Sequence, residues 1–392
     1  MMVDVESEQP LWLGKVDYRN DRRKFGIKPH DRFSHIYIIG KTGTGKSTLI
    51  ESMALQDAAR GHGLALIDPH GDLVERVTAR IPHFRRADLV NLNASDRSQP
   101  YGYNPLRRVR EDRAALAASG FLEVFKKMWP DAWGVRMEHI LRNALMALLE
   151  QPNATLHDLL RLLSDKDYRK GIARSLKNEP VKRFLEQEFE RFSFGYRADG
   201  IAPIQNKVGA FLADPTLNRI LTAPEIDLHL RKIMDEGKVL LVNLAKGRIG
   251  DDSSSLLGGL LVTTIGLAAY SRADIPPEKR RDFFVYIDEF QSFTTLAVAN
   301  MLSELRKYRV GFTVAHQYLH QLEPDVRHAV LGNAGTLISF RVGGEDAAYL
   351  AREFQDRFEA IDLMQLPNFH LYLKLMIDGV PSRPFSAVTL PA

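Results

Sequence analysis

The sequence predicts an α/β protein built on a mainly parallel sheet with helices on both faces. Three observations carry that prediction. Short apolar runs recur along the 392 residues, nearly continuous in apolar character rather than alternating, as strands covered on both faces require. Helical stretches separate these runs, which is the rhythm of a doubly wound architecture. The composition, 45% apolar and 26% charged, is that of an ordinary globular chain able to bury a sizeable core. There is no cysteine, which excludes disulfide staples, thiolate zinc sites and cysteine nucleophiles. A net charge of +4 is compatible with a DNA partner without demanding one.

In chain order the predicted strands are 35–40 (HIYIIG), 63–68 (GLALID), 89–93 (LVNLN), 238–244 (KVLLVNL), 283–289 (FFVYIDE), 311–317 (GFTVAHQ), 335–342 (GTLISFRV) and 370–377. The opening residues MMVDVESEQP are acidic and have no apolar stretch behind them, so no signal peptide is expected. The longest apolar run, 256–270 (LLGGLLVTTIGLAAY), is shorter than the ~20 residues that span a bilayer and is expected as a buried core helix. These readings predict a chain with no transmembrane segment and a cytoplasmic location.

The stretch 106–237 breaks the strand rhythm. Met137, Ile140, Leu141, Ala144, Leu145 and Leu148 follow the spacing of one helical face, and Leu156, Leu159, Leu160 and Leu163 repeat it. Thr155 and Asp158 stand as a capping box before the second helix. Val181, Phe184, Leu185 and Phe189 form a third stripe. The expected organisation is an amino-terminal lead (1–34), a first core part (35–105), an inserted all-helical module (106–237) and a second core part (238–392). With strands on both sides of it, the insertion must leave and return at neighbouring sheet loops.

The strongest chemical signal is Gly40-Lys41-Thr42-Gly43-Thr44-Gly45-Lys46-Ser47, a P-loop pattern directly after a predicted strand and opening a helix with Thr48. Its glycines let the backbone wrap phosphates, so that amide N–H groups and the helix N-terminus face negative charge. Lys46 is placed to reach the β- and γ-phosphates of ATP, and the Ser47 hydroxyl to ligate Mg²⁺. The strand 283–289 ends in two carboxylates, the Walker B form. Asp288 is expected to hold Mg²⁺ through water and Glu289 to polarise the attacking water. Gln317, ending another strand, is a candidate γ-phosphate sensor. Asp68 and Asp72 (IDPHGDL) stand either as helpers of the water or metal shell or as parts of a turn. Arg306 lies about 90° off the apolar stripe of Val298, Met301, Leu302 and Leu305 and is free to project outward.

Together these segments resemble the HerA/FtsK superfamily of P-loop motors, and within it the HerA-like and type IV secretion coupling-protein ATPases. HIYIIGKTGTGKSTL resembles the family's Walker A, IDPHGDL its post-strand acidic turn and VYIDEFQSF its Walker B. LRKYRVGFTVAHQ resembles the segment joining an arginine finger to a glutamine sensor, and GNAGTLISFRVGGEDA the late strand of coupling proteins. The resemblance implies a RecA-like core, a homohexamer around DNA, and nucleotide bound between subunits. On that reading Lys46, Ser47, Asp288, Glu289 and Gln317 act in one subunit while Arg306 serves the next, with Arg341 a lower-ranked alternative. Conjugative coupling proteins usually carry amino-terminal membrane helices and HerA an amino-terminal β-barrel. Neither is expected here, which counts against membrane docking and nuclease pairing, although a nuclease or a secretion or defence partner protein would replace either anchor. Lys246, Arg248, Arg107, Arg108, Arg110, Lys126 and Lys127 are candidate phosphate contacts or solvated faces. No base-reading module is visible, so DNA binding is expected to be indifferent to sequence. The rival expectation is an ATP-switched scaffold whose main ligand is a protein.

Overall fold

The computed structural model describes residues 9–19, 21–222 and 225–391. Among the described residues, fifteen strands run in chain order. They are β1 Leu11–Val16, β2 Lys24–Ile27, β3 Ile36–Ile39, β4 Gly63–Asp68, β5 Leu89–Asn93, β6 Tyr101–Gly102, β7 Ile226–Asp227 and β8 Val239–Asn243. Then follow β9 Phe283–Ile287, β10 Val310–His316, β11 Thr336–Ser339, β12 His370–Lys374, β13 Met376–Ile377, β14 Val380–Pro381 and β15 Phe385–Thr389. Eleven of them form one sheet in the order β2-β1-β15-β12-β11-β3-β10-β9-β4-β8-β5. From β11 to β5 every neighbouring pair is parallel. From β11 outward to β2 every pair is antiparallel.

The fully buried strands β3, β4, β8, β9 and β10 are the continuous apolar runs, because helices cover both of their faces. The helices Lys46–Ala59 and Asp72–Arg80 pack on one face, where Leu49, Ile50, Met53, Leu73 and Val77 meet Ile36, Ile38, Leu64 and Leu66. On the other face the helix Asp251–Ser271 joins a core that continues without a break into the helices between Glu111 and Thr222. The helix Glu111–Met128 seats closely enough on Asp251–Ser271 that a Cβ at Gly120 would fall 2.6 Å from Thr263. The apolar run 256–270 is thus a core helix, with 78% of its most apolar window buried inside the protein.

The helical stretch departs after β5 and the chain rejoins the sheet at β8, and these two strands pair with each other. Exit and return are therefore adjacent, as the strands on both sides of the insertion demanded. The capping box of Thr155 and Asp158 is formed, with Asp158 accepting from the Thr155 backbone N–H at 2.8 Å. The strands β1, β2 and β15 at the antiparallel side of the sheet were not among the sequence-predicted ones. They are only partly buried, so their apolar signal is weak.

Candidate active site at the carboxyl ends of the central strands

β3, β10 and β9 lie side by side, so the loops leaving their carboxyl ends share one crevice, where open α/β sheets bind ligands. The loop after β3 is Gly40–Ser47. Gly43 (φ 77°) and Gly45 (φ 120°) occupy backbone conformations that side chains resist, and they turn the loop back onto the helix Lys46–Ala59. Thr44 tightens the turn by donating its hydroxyl to the Lys41 carbonyl at 2.7 Å. Gly40 presses against Phe340. Thr48 sits in the first helical turn, half buried.

Lys46 is buried and folds back across the loop, donating to the carbonyls of Gly40 (2.7 Å) and Lys41 (3.2 Å). Burial lowers its pKa, opposed by the nearby Asp288 and Glu289 charges. Ser47 donates to Asp288 at 2.7 Å, which brings the helix start and the end of β9 together. Burial pushes the Asp288 carboxyl above its ordinary value and Glu289 and Asp68 add to the effect, while the Ser47 hydrogen bond and the Lys46 charge oppose it. A hydroxyl beside a buried carboxylate under negative neighbours fits a hard divalent cation, which takes oxygen ligands and relieves that excess of negative charge.

Glu289 follows at φ 48°, left-handed backbone that is costly for a residue with a side chain and typical of functional turns. Both carboxylate oxygens are engaged: Gln317 donates to one at 3.0 Å and Gln291 to the other at 2.7 Å. Gln317 also accepts from the Thr42 hydroxyl at 3.0 Å. Because β10 lies between β3 and β9, the glutamine at its end spans the two acidic and glycine-rich loops. Beneath it the buried His316 meets the Tyr37 hydroxyl.

Several other expected residues are engaged by different partners. Asp68 accepts from the backbone N–H groups of His70, Leu73 and Val74, so it holds the turn and the start of the following helix, and Asp72 is exposed in that helix's first turn. Arg341 binds the Leu366 carbonyl and Asn368. Lys246 pairs with Asp251, Arg110 with Asp112 and Arg107 with Asp227. Arg306 is exposed just before β10, whereas the crevice lies after it. At ~3.3 Å per residue, seven strand residues put it roughly 20 Å from the phosphate loop of its own chain. Among the described residues it makes no side-chain hydrogen bond or ion pair.

Lys127, expected as a phosphate contact or part of a solvated face, is neither of these and turns inward. It leaves the helix Glu111–Met128 to donate to the carbonyls of Gln291 and, at 2.7 Å, Thr294, in the turn that carries Glu289. Burial pulls its pKa down to about 8. The sequence did hold a signal for this: Gly120, Val124 and Lys127 continue one helical stripe, and the first two are buried.

A family model for the type IV secretion-system coupling protein DNA-binding domain matches residues 24–359. The chain belongs to that family. No curated protein sequence matches this coupling-protein chain. Among solved structures it is similar to the bacterial conjugative coupling protein TrwBdeltaN70 in its unbound form, with 17% identity, a TM-score of 0.66 and coverage of 92% of this chain and 86% of that one. It is also similar to the plasmid coupling protein TrwB in complex with a non-hydrolysable GTP analogue, with 17% identity, a TM-score of 0.67 and coverage of 97% and 90%. VirB4 of Thermoanaerobacter pseudethanolicus matches with 16% identity, a TM-score of 0.66 and coverage of 98% and 97%. The fold of the coupling-protein chain is therefore the RecA-like P-loop fold, with a mainly parallel sheet.

Proposed function

We propose that this chain is an ATP- and Mg²⁺-dependent motor that assembles as a homohexamer and moves DNA through its ring without reading base sequence. One observation carries the reading: Lys46, the Ser47–Asp288 pair and the doubly held Glu289 converge at the carboxyl ends of β3 and β9, bridged by Gln317 at the end of β10 between them. TrwB structures described as complexes with ADP and Mg²⁺ and with non-hydrolysable ATP and GTP analogues add support. The amides of Thr42, Gly43, Thr44, Gly45 and Thr48 would cradle phosphates, and Lys46 would exchange its two carbonyl partners for phosphate oxygens. Ser47 and Asp288 would hold Mg²⁺, which neutralises charge developing on the phosphates. Glu289 would orient the attacking water and accept its proton, and Gln317 would report the γ-phosphate by giving up Thr42.

Arg306 is too far from its own crevice to act there, which favours a role at the neighbouring subunit's nucleotide. We read 106–237 as a mainly helical module, with the short strand β7 near its end, whose apolar core runs on into that of 35–105 and 238–392, while β1 and β2 of the lead segment extend the sheet. A cytoplasmic location is part of the proposal, since that is where ATP is supplied. The test is turnover with and without long duplex DNA, alongside native particle mass. The rate should rise several-fold on DNA, Lys46→Ala should abolish it, and the particle should hold six 44.4 kDa chains. A rate indifferent to DNA but raised by a protein partner would replace the motor with the scaffold reading.

A further inference from the structure

Phe369 stands immediately before β12, and three features set it apart. The residue is 44% exposed although it is a large aromatic. Its backbone has φ 68°, a conformation that glycine or asparagine would adopt at far lower cost. Yet it is fastened from both sides: its N–H donates to the Thr44 carbonyl at 2.8 Å, and its own carbonyl accepts from Thr389 at 3.0 Å. Arg341 steadies the same turn through the Leu366 carbonyl (3.1 Å) and the Asn368 side chain (3.0 Å). A strained, exposed ring on a clamped backbone serves neither core packing nor turn formation.

The ring lies over the phosphate loop itself. A Cβ on Gly45 would fall 3.0 Å from the Phe369 ring and 3.1 Å from that of Phe340, so that glycine leaves room for both rings. The sheet order fixes which part of a nucleotide meets it. The reacting end of the triphosphate must face Asp288 and Glu289, which follow β9, two strands from β3 on one side. The nucleoside must then leave the loop on the opposite side, towards β11 and β12. Phe369 is the aromatic waiting there.

We propose that Phe369 is the base-stacking residue of the nucleotide site, taking the purine ring of the nucleotide whose phosphates lie on Gly40–Ser47. This rests on the ATP reading above and adds the residue that grips the nucleoside. Stacking on an aromatic face is tolerant of base identity, so adenine and guanine nucleotides should both bind.

The test compares ADP with inorganic pyrophosphate, each with Mg²⁺, by titration calorimetry on the full chain. Phe369→Gly removes the ring and suits the positive φ, so the backbone clamp on Thr44 persists. It should weaken ADP binding about tenfold or more, in the range of aromatic–base stacking, and leave pyrophosphate within about twofold. Phe369→Tyr should bind ADP as the natural chain does. ADP affinity unchanged in Phe369→Gly would overturn the assignment. Parallel weakening of both ligands would do so too, because the ring would then merely prop the loop. Lys46→Ala should weaken both ligands together. If the natural chain binds pyrophosphate and ADP equally well, stacking alone fails, and if it binds neither, the ATP reading falls and takes the stacking with it.

Discussion

Glu289 shows how much structure one reactive carboxylate requires. Its backbone is strained and both of its oxygens are held by glutamine amides, so the group is fixed before any substrate arrives. Removing a positioned general base costs typically 10²–10⁴-fold in rate. Glu289→Gln should therefore lose at least about a hundredfold in turnover while equilibrium nucleotide binding persists, and loss of binding as well would assign it a structural role. The buried His35 and His316 carry a pH signature. Burial pulls each from an ordinary 6.5 down to about 4. In that window the unfolded chain binds the protons and the folded chain does not, so stability is intact above about pH 6.5 and is lost as pH falls towards 4. The slope should be up to about 1.4 kcal/mol per pH unit for each histidine. Chemical denaturation between pH 4 and 7 measures it, and a flat profile would contradict the buried, neutral assignment.

Among elements, the phosphate-loop helix and the acidic strand are coupled well below the site. Asp57 of the helix accepts two hydrogen bonds from Arg32 at 2.7 Å each and meets the Tyr286 hydroxyl of β9, and all three side chains are buried. Arg32 also lies 3.3 Å over the Phe284 ring. Burial alone would raise the Asp57 pKa, but the Arg32 charge and hydrogen bonds hold it well below the carboxylate range. Asp57→Asn leaves a buried guanidinium without its counter-charge and should cost about 3–5 kcal/mol in denaturant unfolding. Lys127 makes the corresponding link from the helices to the Glu289 turn. Lys127→Met should lower turnover about tenfold with the ATP KM little changed, and Lys127→Arg should restore part of it. A change in KM alone would show that the contact does not position Glu289.

For the whole molecule, the separation of Arg306 from its own crevice turns the hexamer proposal into a measurable one. Chains carrying Arg306→Ala and chains carrying Glu289→Gln should each be nearly inactive alone. Mixed, they create interfaces where an intact Glu289 faces an intact Arg306, and part of the ATPase rate should return. Mixtures as dead as their parents would remove Arg306 from the interface. DNA binding through backbone phosphates should also fall steeply between about 50 and 200 mM salt, equally for unrelated sequences.

The buried parallel strands, the phosphate loop, the acid pair and the capping box were legible in the sequence because each depends on residues close together in the chain. Apolar runs, glycine spacing and an Asp-Glu strand end carry their meaning locally. Asp68 takes the turn role that the sequence offered as one of two readings, held by amides of its own turn. The role of Lys127 was not legible, because it depends on carbonyls that lie more than 160 residues along the chain. Phe369 shows the same limit: it stands just before the predicted strand 370–377 with no local signal, and only the fold carries its turn to the phosphate loop. Short-range pattern determined the elements and the chemistry they bear. The pairing of distant strands decided which side chains share a crevice, because hydrogen-bonded register brings together residues that no local spacing relates.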